Sequence, residues 1–393
     1  MDYVVEVDFQ SPVHVGEPGI GEEATTQILH SDTWFSAMTV AIRQLYGEVT
    51  VKRWMNELAP PEADPWTQEL SSLAGNAEEN PPFRISSAFP MLKRGDSADA
   101  EEPLYFLPKP MLPPPGFDRA DGADGGTQIR EKWAKEVKKI RFVPVSLWKK
   151  WISAEKFSDE DYESLKLFRI KELAHVGSET LLPRVSLDRE TSASEYFRQG
   201  LRVYGKGAGV FFFLQVSPEW QPTVAGALRW LGENGIGGKR SVGYGRFSSR
   251  WRPFFGPSGQ GVSAQKVSDQ AETFKTTRGL KALEQLFHPS FQENGYVTLS
   301  LYHPTMAERG RDWRNASVQW LDRRGWSAYG DDGLQVKRRS VRMLSEGSLF
   351  PWRPLGHLVD VTPDIWRQER TVYRNGLALA IPVLREARGE AIT

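Results

Sequence analysis

A chain of 393 residues and 44.4 kDa is long enough for two domains and for a core that folds unaided. Its 39% hydrophobic and 25% charged residues are the balance of a globular protein, and the absence of cysteine excludes disulfides, thiolate metal sites and a cysteine nucleophile. Lys+Arg and Asp+Glu both total 50, so net charge selects no polyanionic partner.

No apolar stretch reaches the length of a membrane span. The first residues, Met1-Asp2-Tyr3-Val4-Val5-Glu6, carry acids where a signal peptide would be basic and then apolar, so the expectation is a cytoplasmic protein with no membrane partner. Charge is uneven along the chain. Ten acids face three bases between Glu57 and Glu102, whereas Lys239, Arg240, Arg246, Arg250 and Arg252 stand without an acid between Gly235 and Arg252. Local fields of this kind decide where a phosphate can sit.

Tyr3, Val5, Val7 and Phe9 alternate with Glu6 and Asp8, the period of a half-buried strand with its acids in solvent. Glycines at 16, 19 and 21 follow, and Ser31 or Asp32 then caps a helix whose Trp34, Met38, Ala41, Ile42 and Leu45 share one face. Residues 59–82 and 103–126, rich in Pro, Ala, Gly or acids, read as exposed excursions. Helices are expected over 132–151 and 159–174, strands over 181–187 and 209–216, a short helix over 222–231 and a strand over 244–251. A Gly-Pro-Ser break at 253–261 divides the chain into domains 1–252 and 262–393. The second contains strands at 296–302, near Val341, at 357–361 and at 377–383. The interleaving predicts an α+β fold of two tandem ferredoxin-like units with inserted excursions.

The segment Gly235 to Phe247 holds five glycines, at 235, 237, 238, 243 and 245. It departs from the P-loop, because Arg240 follows Lys239 where Ser or Thr is required, and from the dinucleotide fingerprint, because Arg240 replaces the third glycine. What remains is a nest of free N–H groups flanked by Lys239, Arg240 and Arg246, with Ser241 inside it and Tyr244 and Phe247 as stacking surfaces. A glycine-rich turn into a strand has the same composition. Arg184 and Arg189 bracket a strand that enters a polar excursion, which fits either a basic hairpin over a nucleic-acid strand or a solvated ribbon. The run Lys337-Arg338-Arg339 is a second patch for an RNA backbone, or a solvated face. Asp331-Asp332 has the form of a palm-type metal pair, yet no partner carboxylate is evident and Asp-Asp-Gly333 is also a hairpin turn. Of the six histidines none stands at zinc-site spacing, and His30, beside the helix start, is the one placed for acid–base work or for bonding the glycine loop.

Four blocks occur in order: His30-Ser31-Asp32-Thr33-Trp34-Phe35-Ser36-Ala37, Leu104-Tyr105-Phe106-Leu107-Pro108-Lys109-Pro110, Asp188-Arg189-Glu190-Thr191, and the glycine segment. Together they resemble the RAMP superfamily, in particular the family of subunit four of the type III-A CRISPR effector, the Csm complex. The resemblance implies two RRM-like domains without catalysis, cofactor or metal. It also implies that the chain clasps the repeat-derived 5′ handle of the crRNA. Its other partners would be the large polymerase-type subunit, an adjacent backbone RAMP subunit, and target RNA near the handle boundary. Carried over by position, RNA contacts would fall on His30, Ser31, Arg184, Arg189, Gly235, Gly237, Gly238, Lys239, Arg240, Ser241, Gly243, Tyr244, Gly245, Arg246, Arg338 and Arg339. Two rivals stand beside it. One is a metal-independent RAMP endoribonuclease that processes the crRNA precursor with His30 as base near Lys239, and the other is a nucleotidyl transferase at Asp331-Asp332.

Overall fold

The computed structural model describes residues 2–16, 25, 26, 28–59, 82–93, 103–115, 117, 125–153, 155–187, 194–254, 278–287, 294–329, 334–367 and 370–383. The N-terminal half runs β1 (Asp2–Phe9), α1 (Ser31–Leu58), β2 (Phe83–Ile85), β3 (Phe89–Leu92), β4 (Leu104–Pro108), α2 (Gly125–Lys139), β5 (Phe142–Pro144), α3 (Val145–Ile152), α4 (Asp159–Leu167), β6 (Gly177–Leu187), β7 (Ser194–Tyr204), β8 (Ala208–Val216), α5 (Gln221–Asn234) and β9 (Phe247–Phe254). Its main sheet has the order β5-β4-β3-β8-β1-β9, with β2 also on β8. The stretch β9-β1-β8-β3, with α1 and α5 as its connecting helices, is the antiparallel arrangement of a ferredoxin-like unit.

Side-chain alternation explains why this sheet is buried on both faces. Phe212 and Leu214 of β8 join Val5, Val7, Trp34, Met38, Leu228 and Leu231 under α1 and α5. Phe211 and Phe213 join Tyr105, Phe106, Trp148 and Trp151 on the opposite face. β8 therefore reads as a continuous apolar run, and each buried phenyl contributes about 1.5–3 kcal/mol relative to exposure.

The structure corrects three expectations. Glu6 is not in solvent but wholly buried, where it accepts a hydrogen bond from Tyr105 Oη (2.6 Å) and pairs with Arg252 Nε (2.5 Å). The Pro-rich stretch after Pro103 is not all loop, because Leu104–Pro108 forms β4 between β3 and β5. The helical region 132–151 is likewise interrupted by β5.

The C-terminal half runs α6 (Arg278–Phe287), β10 (Gly295–Thr298), β11 (Trp320–Arg323), β12 (Trp326–Tyr329), β13 (Leu334–Lys337), β14 (Val341–Leu344), β15 (Leu349–Phe350), β16 (Leu358–Asp360), β17 (Tyr373–Asn375) and β18 (Ala380–Val383). A small antiparallel sheet, β15-β10-β18, is accompanied by the ribbons β11-β14, β12-β13 and β16-β17. Leu283 and Phe287 of α6, Val297 and Ile381 of the small sheet and Leu299 just after β10 belong to the same apolar cluster as Phe213, whose ring lies 4.9 Å from that of Phe287. The two halves share one core.

A polar cluster fixes their register. His30 caps α1 with its backbone only, while Ser31 and Asp32, expected as caps, lie inside the helix and turn toward the C-terminal half. His30 Nδ1 meets Glu346 Oε1 at 2.8 Å, and Ser87 Oγ donates to the same oxygen. Ser31 Oγ accepts from the Leu301 amide at 3.1 Å. The Asp32 carboxylate receives Nε and Nη2 of Arg323, each at 2.9 Å, and Nη1 of Arg374. Burial alone would raise the Asp32 carboxyl, but the two guanidiniums hold it well below the usual carboxylate range.

Asp32→Asn would leave both arginines facing a neutral amide. It is expected to cost about 3–5 kcal/mol in urea unfolding near neutral pH. Because the folded carboxyl titrates below its unfolded value of about 3.9, the wild-type advantage is complete above about pH 4 and shrinks as pH falls toward the folded value. A loss under about 1 kcal/mol would show that the pair does not hold the halves together.

Candidate nucleic-acid interface

The glycine segment leaves α5 at Gly235 and makes a compact loop on the segment that follows β1. The amides of Gly235, Ile236, Val242 and Gly243 donate to carbonyls of α5 or of the loop itself. Those of Gly238 and Gly245 donate to His14 and Pro12 carbonyls at 2.8 Å, and the Arg246 amide donates to Ser11 Oγ at 2.9 Å. The expected nest of free N–H groups is thereby corrected, since most of these donors are already spent in holding the loop. What reaches solvent is the tip. Lys239, Arg240, Ser241, Val242 and Gly243 are exposed, and the amides of Arg240 and Ser241 make no hydrogen bond among the described residues.

The glycines divide in the same way. A Cβ at Gly245 (φ 75°) would lie 2.0 Å from the Ile236 carbonyl oxygen, and one at Gly237 (φ 91°) 2.4 Å from that of His14. A Cβ at Gly243 (φ 87°) would meet nothing within 4 Å. Gly235 and Gly238 are likewise packed on protein atoms, so the buried glycines serve close backbone packing and only Gly243 borders open space.

β6 and β7 form a long antiparallel ribbon whose register sets Arg184 opposite Phe197. At that level the ribbon touches the loop. Arg184 Nη2 donates to Tyr244 Oη at 2.6 Å, and Lys239 Nζ lies 5.9 Å from the centre of the Phe197 ring. Val185, Leu187 and Tyr196 extend beyond the contact as exposed apolar side chains. Arg189, with Asp188 and Thr191, lies outside the described residues. Arg246 pairs across the exposed loop with Glu233 at 3.4 Å. Sequence reasoning missed the brace beneath these elements. His14 is buried, its Nδ1–H donates to the Gly200 carbonyl at 2.7 Å, and Val13 and Arg202 exchange backbone hydrogen bonds. Residues 11–14 have no periodicity that would announce such a role.

Residues 6–248 match the model of the RAMP superfamily, and residues 292–383 match the CRISPR Csm4 C-terminal domain. The chain belongs to the RAMP superfamily. A curated relative, the CRISPR system Cms protein Csm4 of Thermococcus onnurineus (strain NA1), is 27% identical over 223 residues, covering 56% of this chain and 62% of that protein. The matched part thus spans less than two thirds of the relative. Among solved structures, the RAMP chain is similar in fold to one in a Csm3-Csm4 subcomplex of the type III-A CRISPR-Cas interference complex (TM-score 0.53, 15% identity, 97% and 99% of the two chains). It is also similar to one in a Csm1-Csm4 cassette in complex with pppApA (TM-score 0.50, 17% identity, 97% of each chain).

The remaining sequence-selected residues of this RAMP chain lie elsewhere. His30 and Ser31 are buried in the polar cluster between the halves, so their side chains face protein. Arg338 is half-buried, with its guanidinium held down to about 10 by burial and by Arg374 and Arg323, while Arg339 is exposed. Asp331, Asp332 and His288 lie outside the described residues. His303 and His357, far apart in sequence, meet with ring centres 4.8 Å apart. Burial and the facing His357 push His303 down to about 3, so it stays neutral near pH 7.

Gly245→Ala is expected to cost about 3 kcal/mol or more and to open the amides of Ile236 and Gly245 to hydrogen exchange. Gly243→Ala should cost only the left-handed backbone strain of about 1–2 kcal/mol. Equal exchange and equal unfolding midpoints for the two variants would contradict the division of glycines into packed and open.

Proposed function

We propose that this chain is the RNA-holding subunit of a type III-A CRISPR interference complex and that it clasps the 5′ repeat-derived handle of the crRNA without chemistry of its own. The observation that carries the reading is the contact between the glycine loop and the ribbon. Through Arg184–Tyr244 and Lys239–Phe197, cations and aromatic faces from two elements meet on one exposed surface. Phosphates need the first and unstacked bases the second. In this reading Lys239, Arg240, Ser241 and Arg184 hold phosphates and Tyr244 and Phe197 offer stacking faces. Gly235, Gly237, Gly238 and Gly245 shape the loop from beneath.

The ribbon end, with Val185, Leu187 and Tyr196, would reach the boundary where target RNA begins to pair. Domain 1–252 carries this surface, and domain 262–393 supports it through the His30–Glu346 and Asp32–arginine contacts. The similarity to chains solved with Csm1 and with Csm3 supports docking on a large polymerase-type subunit and on a neighbouring backbone RAMP subunit. The endoribonuclease alternative asks His30 to act as a base on RNA, whereas its ring is buried against Glu346.

For single-stranded RNA the salt slope is about 0.7 per phosphate neutralised, so Lys239→Ala/Arg240→Ala should flatten the log–log salt dependence of handle binding by about one unit. Wild-type affinity and slope in the double variant would place the handle elsewhere.

A further inference from the structure

At the root of the ribbon lies a cavity of about 240 Å³ that the loop surface does not include. Four cationic side chains line it, Lys139, Arg141, Arg169 and Arg202, and among the described residues no carboxylate does. Its apolar wall includes Phe142 and Leu173. Arg169 stands on a π-helical turn (Phe168–Glu172), where the widened turn displaces side chains from their ordinary helical positions.

Glu136 is shared by Lys139 (2.9 Å) and Arg169 (2.8 Å), and Glu179 is 3.9 Å from Arg202 Nη1. The Nε atoms of both Arg169 and Arg202 are buried without a hydrogen-bond partner among the described residues. A buried guanidinium donor left unpaired is costly, and four cationic side chains around one cavity favour an anion within it.

We infer that this cavity takes one nucleotide of the RNA strand, its phosphate on Arg169 and Arg202 and its base against Phe142 and Leu173. The inference rests on the RNA-holding reading above and extends the path of the strand. Arg202 exchanges backbone hydrogen bonds with Val13, beside the His14 that braces the glycine loop, so cavity and loop flank the same ribbon root. The volume is below the roughly 300–1,000 Å³ of pockets that enclose drug-sized ligands, so the cavity admits at most one nucleotide, held partly outside it. A free mononucleotide offers the same phosphate chemistry, and the test separates the two.

The full-length chain is titrated with fluorescein-labelled single-stranded RNA of handle sequence, with adenosine monophosphate and with inorganic phosphate. The variants are Arg169→Gln/Arg202→Gln, Ala174→Trp, which fills the cavity and keeps every charge, and Lys239→Ala/Arg240→Ala for the loop. Both cavity variants are expected to weaken RNA binding about tenfold, and the arginine pair to flatten the salt slope by about 0.7. If Ala174→Trp fails to fold, Arg141→Gln on the exposed rim serves in its place, with a smaller loss expected. Wild-type RNA affinity in the cavity variants, with the loop variant weakened, overturns this inference and leaves the RNA-holding reading standing. Loss of adenosine monophosphate or phosphate binding without loss of RNA binding overturns it as well, assigning the cavity to a free ligand. An absence of RNA binding by the wild type removes both.

Discussion

A carboxylate without access to water sits in the first turn of α1, and two arginines from distant points of the C-terminal half close on it. Moving Asp32 out of water is costly, and only the paired geometry with Arg323 and Arg374 offsets that cost. The arrangement therefore tolerates little displacement between the halves. His30–Glu346 and Ser31–Leu301 flank it, so the helix start acts as a registration point while the shared apolar core supplies most of the cohesion. α1 packs on the sheet that β1 centres, and the segment beyond β1 carries the glycine loop and the ribbon. The position of the loop-and-ribbon surface relative to the C-terminal half follows from this one buried charge.

The surface itself is built on a second economy of polar groups. Residues 11–14 satisfy amides of the loop and groups of the ribbon with their own backbone and with Ser11 and His14. Most backbone donors are thus used for rigidity, and what the tip presents is its side chains and the amides of Arg240 and Ser241. This differs from a phosphate-binding loop, in which free N–H groups do the binding. In the proposed reading, a loop held in this way keeps its cations placed before RNA arrives, which lowers the ordering cost of binding.

The sequence announced elements whose period or composition is local. β1, α1, β8 and α5 were legible from alternation and helical spacing, and the glycine segment from composition alone. Glu6 was misread because alternation reveals two faces of a strand but not whether a second layer covers the polar one. Leu104–Pro108 was hidden in a Pro-rich context although its apolar run is continuous. His30, expected beside RNA or bonded to the glycine loop, is bonded to Glu346 instead, because a contact across 316 positions leaves no trace in local spacing. The same reason concealed the His303–His357 pair, the brace at 11–14 and the cavity at the ribbon root, each assembled from separate elements.

The claim that the loop tip and the ribbon form a single RNA-facing surface is tested most directly by photocrosslinking. The full chain is bound to handle RNA carrying 4-thiouridine at successive positions, and the crosslinked peptides are mapped by mass spectrometry. The account predicts adducts on Tyr244 and on Phe197 or Tyr196 from neighbouring nucleotides, lost together in Lys239→Ala/Arg240→Ala. Crosslinks confined to residues outside 184–246, with the loop and ribbon unlabelled, would contradict it.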